Sequence, residues 1–170
     1  MCSSDLLAAG YMRAMARARG LTDSLSVYFN GEKIELLAFP GSHDDNEVIV
    51  HFTGSKVVHL SSVVNGFNFP SIDSDGDALM FEKLVGKAID LLPEDAVIVS
   101  GHNEPGSWSE LQAYRDMLAK VRDRVAKLKA EGKTGAEIVA AKPTADLDEK
   151  WGGGFMKPDV WVGLVYESMK

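Results

Sequence analysis

The sequence predicts an α+β fold, an antiparallel β-meander packed with helices. Three observations carry this. Residues 25–60 read as four short strands joined by tight turns. Residues 107–128 carry an apolar stripe at helical spacing. Between the two regions a four-residue apolar run, Ala96–Val99, adds one more strand.

In chain order, Leu6–Arg19 is rich in Ala, Leu, Met and Arg and reads as a helix ended by Gly20. Leu25–Phe29 alternates, Asn30-Gly31 is the preferred dipeptide of a type I′ turn, and Lys33–Phe39 runs back. Pro40-Gly41 breaks that strand. Glu47–Phe52 and Lys56–Leu60 are the third and fourth strands, joined by a turn at Thr53–Ser55. Asn65–Gly76 reads as loop. Ala78–Leu92 then places Leu79, Phe81, Leu84, Val85, Ala88, Ile89 and Leu92 on one helical side, and Pro93 stops it.

Ser107 with Glu110 makes a capping box for the longest helix. Leu111, Tyr114, Leu118, Val121, Val125 and Leu128 form its buried stripe, and Gly132 ends it. Thr134 and Glu137 make a second capping box. Gly152-Gly-Gly154 reads as a mobile joint, and Pro158 suits the first turn of a final helix over Asp159–Met169.

Composition bounds the function. A net charge of -7 argues against nucleic acid or an anionic membrane as partner. No apolar run approaches the roughly 20 residues of a membrane-spanning helix, so a soluble protein of unassigned compartment is expected. The single cysteine, Cys2, allows no internal disulfide and no CxxC metal site. Met1–Leu6 resembles a translated sequencing-library adapter. Residues 1–6 are therefore expected to be an adapter-derived or disordered tail, and residues 7–170 a single, truncated domain. Leu6–Arg19 lacks the charge order of a signal peptide, and any such signal would lie upstream.

The chemistry-bearing residues are few. His51 and His59 fall inside strands, where a packed imidazole is the simpler reading. His43 lies in a loop just before a strand and His102 in a turn just after one, where a rigid sheet presents functional groups. Neutral imidazole is the commonest metal ligand. Asp44, Asp45 and Glu47 could add carboxylates or could form a solvated loop. The acidic stretch Asp73–Asp77 lacks a calcium loop's twelfth-position Glu, since Leu84 stands there, and suits a helix N-terminus instead. No serine stands in a Gly-x-Ser-x-Gly motif, and no phosphate-cradling glycine loop occurs.

Three stretches resemble the C-terminal half of metallo-β-lactamase-fold hydrolases. Phe39–Val50 (FPGSHDDNEVIV) resembles the family's "His-Thr-x-Gly-Asp then apolar strand". Lys56–Pro70 (KVVHLSSVVNGFNFP) resembles its "Val-x-His-x-Gly-Asp then Phe-Pro". Val99–Pro105 (VSGHNEP) resembles its "Pro-Gly-His-Gly-Pro" turn. Their order and separation fit, as does the long helix that follows.

The resemblance implies one half of an αββα sandwich, with His43 as a ligand of one zinc and His102 of a second. It implies metal-activated water attacking an ester, amide or related bond. The bridging Asp of the family falls at Ser62, with Ser61 in place of its Gly and Asn103 in place of another. The family's His-x-His-x-Asp-His motif is absent from the chain. The expected cofactor is thus zinc at a weak or incomplete site: His43 and His102, with Asp45, Glu47 and Ser62 as accessories.

Two readings stay open. One is the C-terminal portion of a zinc-dependent hydrolase, inactive by itself, with a small-molecule substrate only in the intact parent. The other is a degenerate, non-catalytic module. An upstream His-x-His-x-Asp-His would discriminate them. With half a sandwich missing, Val48, Val50 and Val58 are expected to lose part of their cover, which invites homo-oligomers through an exposed sheet.

Overall fold

The computed structural model describes residues 24–43, 47–72, 76–102 and 104–169. The expected helix Leu6–Arg19, the tail 1–6, Asp44, Asp45 and Asn103 lie outside them.

Five strands form one sheet in chain order: β1 (Ser24–Phe29), β2 (Glu32–Ala38), β3 (Val48–Phe52), β4 (Val57–His59) and β5 (Val97–Val99). The first four make the expected antiparallel meander, with Val27 opposite Ile34, Leu36 opposite Val50 and Val50 opposite His59. The fifth adds in parallel, Val58 opposite Ile98, so the sheet is mixed. A parallel partner needs a crossover, and helix α1 (Ala78–Leu91) supplies it. The β1–β2 turn has Asn30 and Gly31 both at positive φ, 51° and 79°, as a type I′ turn requires.

The other helices follow β5: α2 (Trp108–Ala130), α3 (Gly135–Ala140), the single turn α4 (Asp148–Trp151) and α5 (Pro158–Ser168). Both capping boxes form, at Ser107 with Glu110 and at Thr134 with Glu137. The acidic stretch before α1 ends in a cap: Asp77 Oδ1 accepts the Leu79 N–H at 2.8 Å. The short helix α4 and a 3-10 turn at Ser61–Val63 are additions to the expected elements. No helix among the described residues is long and apolar enough to cross a membrane.

Period-two alternation divides the sheet's side chains between two faces. Ile49, Val58, Leu60 and Ile98 join the helices in the main core, with Phe81, Leu111, Tyr114, Val121 and Trp161. On the opposite face Ile34, Leu36, Val48 and Val50 form a second cluster, with Leu25, Val27 and Phe52 packed against it. The expected loss of cover is not seen. Val48, Val50 and Val58 are 4%, 0% and 0% exposed. Val58 belongs to the main core, and Val48 and Val50 to the second cluster. The large apolar residues that are exposed among the described residues are Tyr28 and Phe29 beside the hairpin turn, Val97 on the edge strand β5, Leu91 and Val160 on helices, and Phe155.

Tyr114 is fully buried, with Phe67 edge-on at 5.8 Å and Trp151 tilted at 5.8 Å. Among the described residues its hydroxyl has no hydrogen-bond partner, and burial pushes its pKa well above the ordinary tyrosine value. The folded state therefore holds this proton more tightly than the unfolded chain. The resulting stability is complete below about pH 10, the ordinary tyrosine range, and is lost as pH rises further. Tyr114→Phe is expected to leave stability near neutral pH within about 1 kcal/mol, since no hydrogen bond is lost. It should also move base-induced unfolding to higher pH. Thermal melts between neutral pH and pH values above that range check both, and an unchanged alkaline limb would count against the buried hydroxyl as its cause.

Candidate functional site

The C-terminal end of β5 and the N-terminal end of β3 lie at the same edge of the sheet, and the loops there carry the candidate residues. After β5 the chain turns at Ser100–Gly101–His102. Ser100 is buried and its hydroxyl donates to the carbonyls of His102 and Glu104, which closes the turn. Gly101 N–H donates to the Val64 carbonyl at 2.9 Å. A Cβ on Gly101 would stand 2.3 Å from the Ser61 carbonyl oxygen. Glycine is needed here for close backbone approach. The His102 turn is thereby seated directly on the 3-10 turn that holds Ser61 and Ser62.

Glu47 reaches the same place from the start of β3. It is only 4% exposed, and its Oε2 accepts the Ser62 N–H at 3.0 Å. The carboxylate thus ties β3 to the 3-10 turn by a charge-assisted bond. Ser61, at φ 53°, gives its N–H to His59 Nδ1 at 3.1 Å. His59 and His51 are buried in the sheet, and His51 Nδ1 faces Glu35 Oε2 at 3.3 Å. Lys33 bonds the same Glu35 at 2.6 Å and holds its carboxyl below the usual range, with His51 adding to the effect.

His43 enters from the other side. Its Nδ1 donates to the Ser71 carbonyl at 2.9 Å. A carbonyl only accepts, so the proton sits on Nδ1 and a neutral ring carries its lone pair on Nε2, the form in which imidazole binds metals. Ser71 also lines a cleft of about 790 Å³, and so does His102. Ser71 is the residue that links the two histidine loops.

The cleft's remaining walls come from two segments. The loop after the 3-10 turn gives Asn65, Asn68 and Phe69; the segment after α4 gives Gly153, Gly154, Phe155 and Met156. The glycines there make close contacts rather than a joint. A Cβ on Gly154 would stand 2.7 Å from Asn68 Cβ, and one on Gly152 would stand 2.7 Å from the Asp148 carbonyl oxygen. Sequence reasoning missed Asn65, Asn68, Ser71, Phe155 and Met156. The Asn-Gly-Phe-Asn run at 65–68 was its one local signal, visible only as a loop.

Of the five candidate ligands, Glu47, Ser62 and His102 are drawn together by backbone packing, and His43 joins through Ser71. Asp45 lies outside the described residues. Among the described residues, no group of three or more His, Cys, Asp or Glu side chains could hold a metal ion. A catalytic zinc takes about three protein ligands and one open position. The described donors do not make that set: His102 alone of the two histidines lines the cleft, His43 bonds the carbonyl of lining Ser71, and the Glu47 carboxylate is engaged by Ser62.

No family model matches the chain and no curated protein sequence matches it. Its fold is similar to part of several solved structures. The stereoselective inverting sec-alkylsulfatase Pisa1 from Pseudomonas sp. superposes with TM-score 0.68 at 19% identity, over 87% of this chain and 26% of that one. A double mutant of that alkylsulfatase gives TM-score 0.71 at 20% identity, over 86% and 25%. The metallo-β-lactamase from Pontibacter korlensis gives TM-score 0.52 at 17% identity, over 63% and 54%. The chain thus spans about a quarter of the alkylsulfatase chains and about half of the lactamase. At these identities the likeness is one of fold: an α+β arrangement shared with part of the metallo-β-lactamase fold.

Proposed function

We propose that this chain is the C-terminal portion of a zinc-dependent hydrolase of the metallo-β-lactamase fold, and that by itself it turns over no substrate. The observation that carries the reading is the convergence on Ser71: His43 bonds its carbonyl, and its residue shares a cleft with His102. Two imidazoles at one sheet edge, beside a cleft of small-molecule size, suit a hydrolase site to which the rest of the parent adds ligands. The bond cleaved in the parent is an ester, thioester, amide or sulfate ester. The last of these is taken from the alkylsulfatases that share the fold.

The second reading, a degenerate binding module, is favoured by one contact. Glu47 places its carboxylate on the Ser62 backbone at the position where the family resemblance expects a bridging acid. A carboxylate committed to holding two elements together is a structural group, and Ser62 is a poor ligand in its place.

Zinc titration and turnover separate the two. The purified chain is titrated with zinc by calorimetry, then assayed with ester, thioester, lactam and secondary alkyl sulfate substrates. A His43→Ala, His102→Ala double mutant is carried alongside. The expected result is zinc binding that the double mutant loses, with turnover no greater than the double mutant's. Zinc-dependent turnover well above it refutes inactivity. Identical zinc binding by both proteins refutes the two-histidine site and leaves the module reading.

A further inference from the structure

The two edges of the sheet are finished differently. At β5 the chain closes its own edge. Val97 and Val99 bond the Lys56–Leu60 segment, and Ile98 turns the other way and exchanges both backbone bonds with Gly106, at 2.8 and 3.3 Å. At the opposite edge, β1 pairs with β2 alone among the described residues. Natural edge strands are blunted by charge, proline, a bulge or short length. β1 has none of these: it runs six residues, Ser-Leu-Ser-Val-Tyr-Phe, in unbroken register with β2.

The ladder fixes which backbone groups of β1 face outward. The Lys33 carbonyl accepts the Thr53 N–H, and Phe39 N–H donates to the Glu47 carbonyl. Odd-numbered residues of this stretch therefore bond β3, and the even-numbered ones bond β1. Glu32, Ile34 and Leu36 stand opposite Phe29, Val27 and Leu25, so those three direct their backbone groups to β2. Ser24, Ser26 and Tyr28 direct theirs to the open edge. Side chains sort by the same alternation. Leu25 and Val27 pack against the second apolar cluster, and Phe29 shares their face yet is 63% exposed. Ser24, Ser26 and Tyr28 lie exposed on the other face.

A strand that fits this edge must set outward-facing backbone groups against outward-facing ones, and apolar side chains against apolar ones. β1 meets both needs itself. With a two-fold axis through Val27, Ser26 and Tyr28 of one copy exchange hydrogen bonds with Tyr28 and Ser26 of the other. Val27 then meets Val27, and Phe29 lies against Leu25, at the non-hydrogen-bonded sites where cross-strand side chains stand closest. On the other face the small Ser26 leaves room for Tyr28.

We infer that β1 is a self-recognition strand: two copies of this chain pair β1 to β1, antiparallel about Val27, and join their sheets into one. The pair is closed, because the other edge of each copy is already bonded to Gly106. The inference is independent of the hydrolase reading.

The test uses the full chain in sedimentation velocity. A six-residue strand from each copy makes a small interface, so a dimer with Kd about 10–100 μM is expected. In a Cys2→Ser background, Val27→Cys should form a disulfide dimer under mild oxidation about tenfold faster than Ser24→Cys. Only the former puts like residues opposite each other at about 4.5 Å between Cα atoms, within disulfide reach. Ser26→Pro removes an outward donor from each copy. Tyr28→Glu sets a carboxylate against Ser26 of the second copy, next to its Glu35, and the 78% exposure of Tyr28 keeps that variant folded. Each should weaken dimerisation about tenfold. A chain that stays monomeric to several times the expected Kd overturns the inference. So does a dimer that both variants leave intact, or a Val27→Cys chain that cross-links no faster than Ser24→Cys. Assemblies that grow beyond two copies overturn the closed pair.

Discussion

Replacing Trp161 with alanine should lower the unfolding free energy by about 3–5 kcal/mol, measured by urea denaturation. Trp161 is 1% exposed in the first turn of α5, and its ring meets Phe81 of α1 edge-on at 6.0 Å with an interplanar angle of 80°. The helix that carries it contacts α1, α2 and α3, and Trp161 anchors it on α1 through Phe81. Domains of this kind have about 5–15 kcal/mol in total, and the variant should therefore sit close to unfolding. The indole nitrogen has no hydrogen-bond partner among the described residues. The loss is thus one of packing, and Trp161→Phe should recover most of it. A loss below about 1 kcal/mol for the alanine variant would mean that α5 contributes little to the fold.

The helical layer was legible because its signals are local. The stripe Leu111, Tyr114, Leu118, Val121, Val125 is buried as the spacing requires, and Ser107 with Glu110 sits within one turn. The Asn30-Gly31 hairpin turn is equally local. The parallel pairing of β5 was not legible. A three-residue strand chooses its neighbour through the crossover helix and the packing beneath it, and Val97–Val99 itself carries no mark of direction.

The site divides in the same way. His43 and His102 could be picked out because each stands in a turn at the end of a strand. Glu47 looked like part of a charged loop, yet it is buried because a backbone N–H fifteen residues away needs an acceptor. The cleft's walls come from residues 65–71, the turn at His102 and the segment at 153–156, and no sequence period connects them. The triple glycine was ambiguous for a physical reason. Glycine permits both mobility and close approach, and only the position of Asn68 against Gly154 decides for the second.

The same property of glycine gives the sharpest test of how the His102 turn is held. Gly101→Val should displace that turn and cost about 1–3 kcal/mol of stability. The obstruction is backbone rather than a side chain that can rotate away: the added Cβ would stand 2.3 Å from the Ser61 carbonyl oxygen and 2.7 Å from its carbonyl carbon. Ser61 cannot retreat freely, because its own N–H is bonded to His59 and the next N–H is bonded to Glu47. Gly101 is held as well, by its N–H to Val64. The strain must be relieved by moving the turn Ser100–His102, which places His102 on the cleft wall. Gly163→Ala is the control. A Cβ there meets nothing within 4 Å, and the position lies inside α5, so it should stabilise by about 0.5–1 kcal/mol. Thermal melts and amide chemical-shift maps of both variants provide the comparison. If Gly101→Val melts with the unaltered protein and leaves the resonances of Ser61 and His102 unmoved, the His102 turn does not rest on Ser61 as the structure places it.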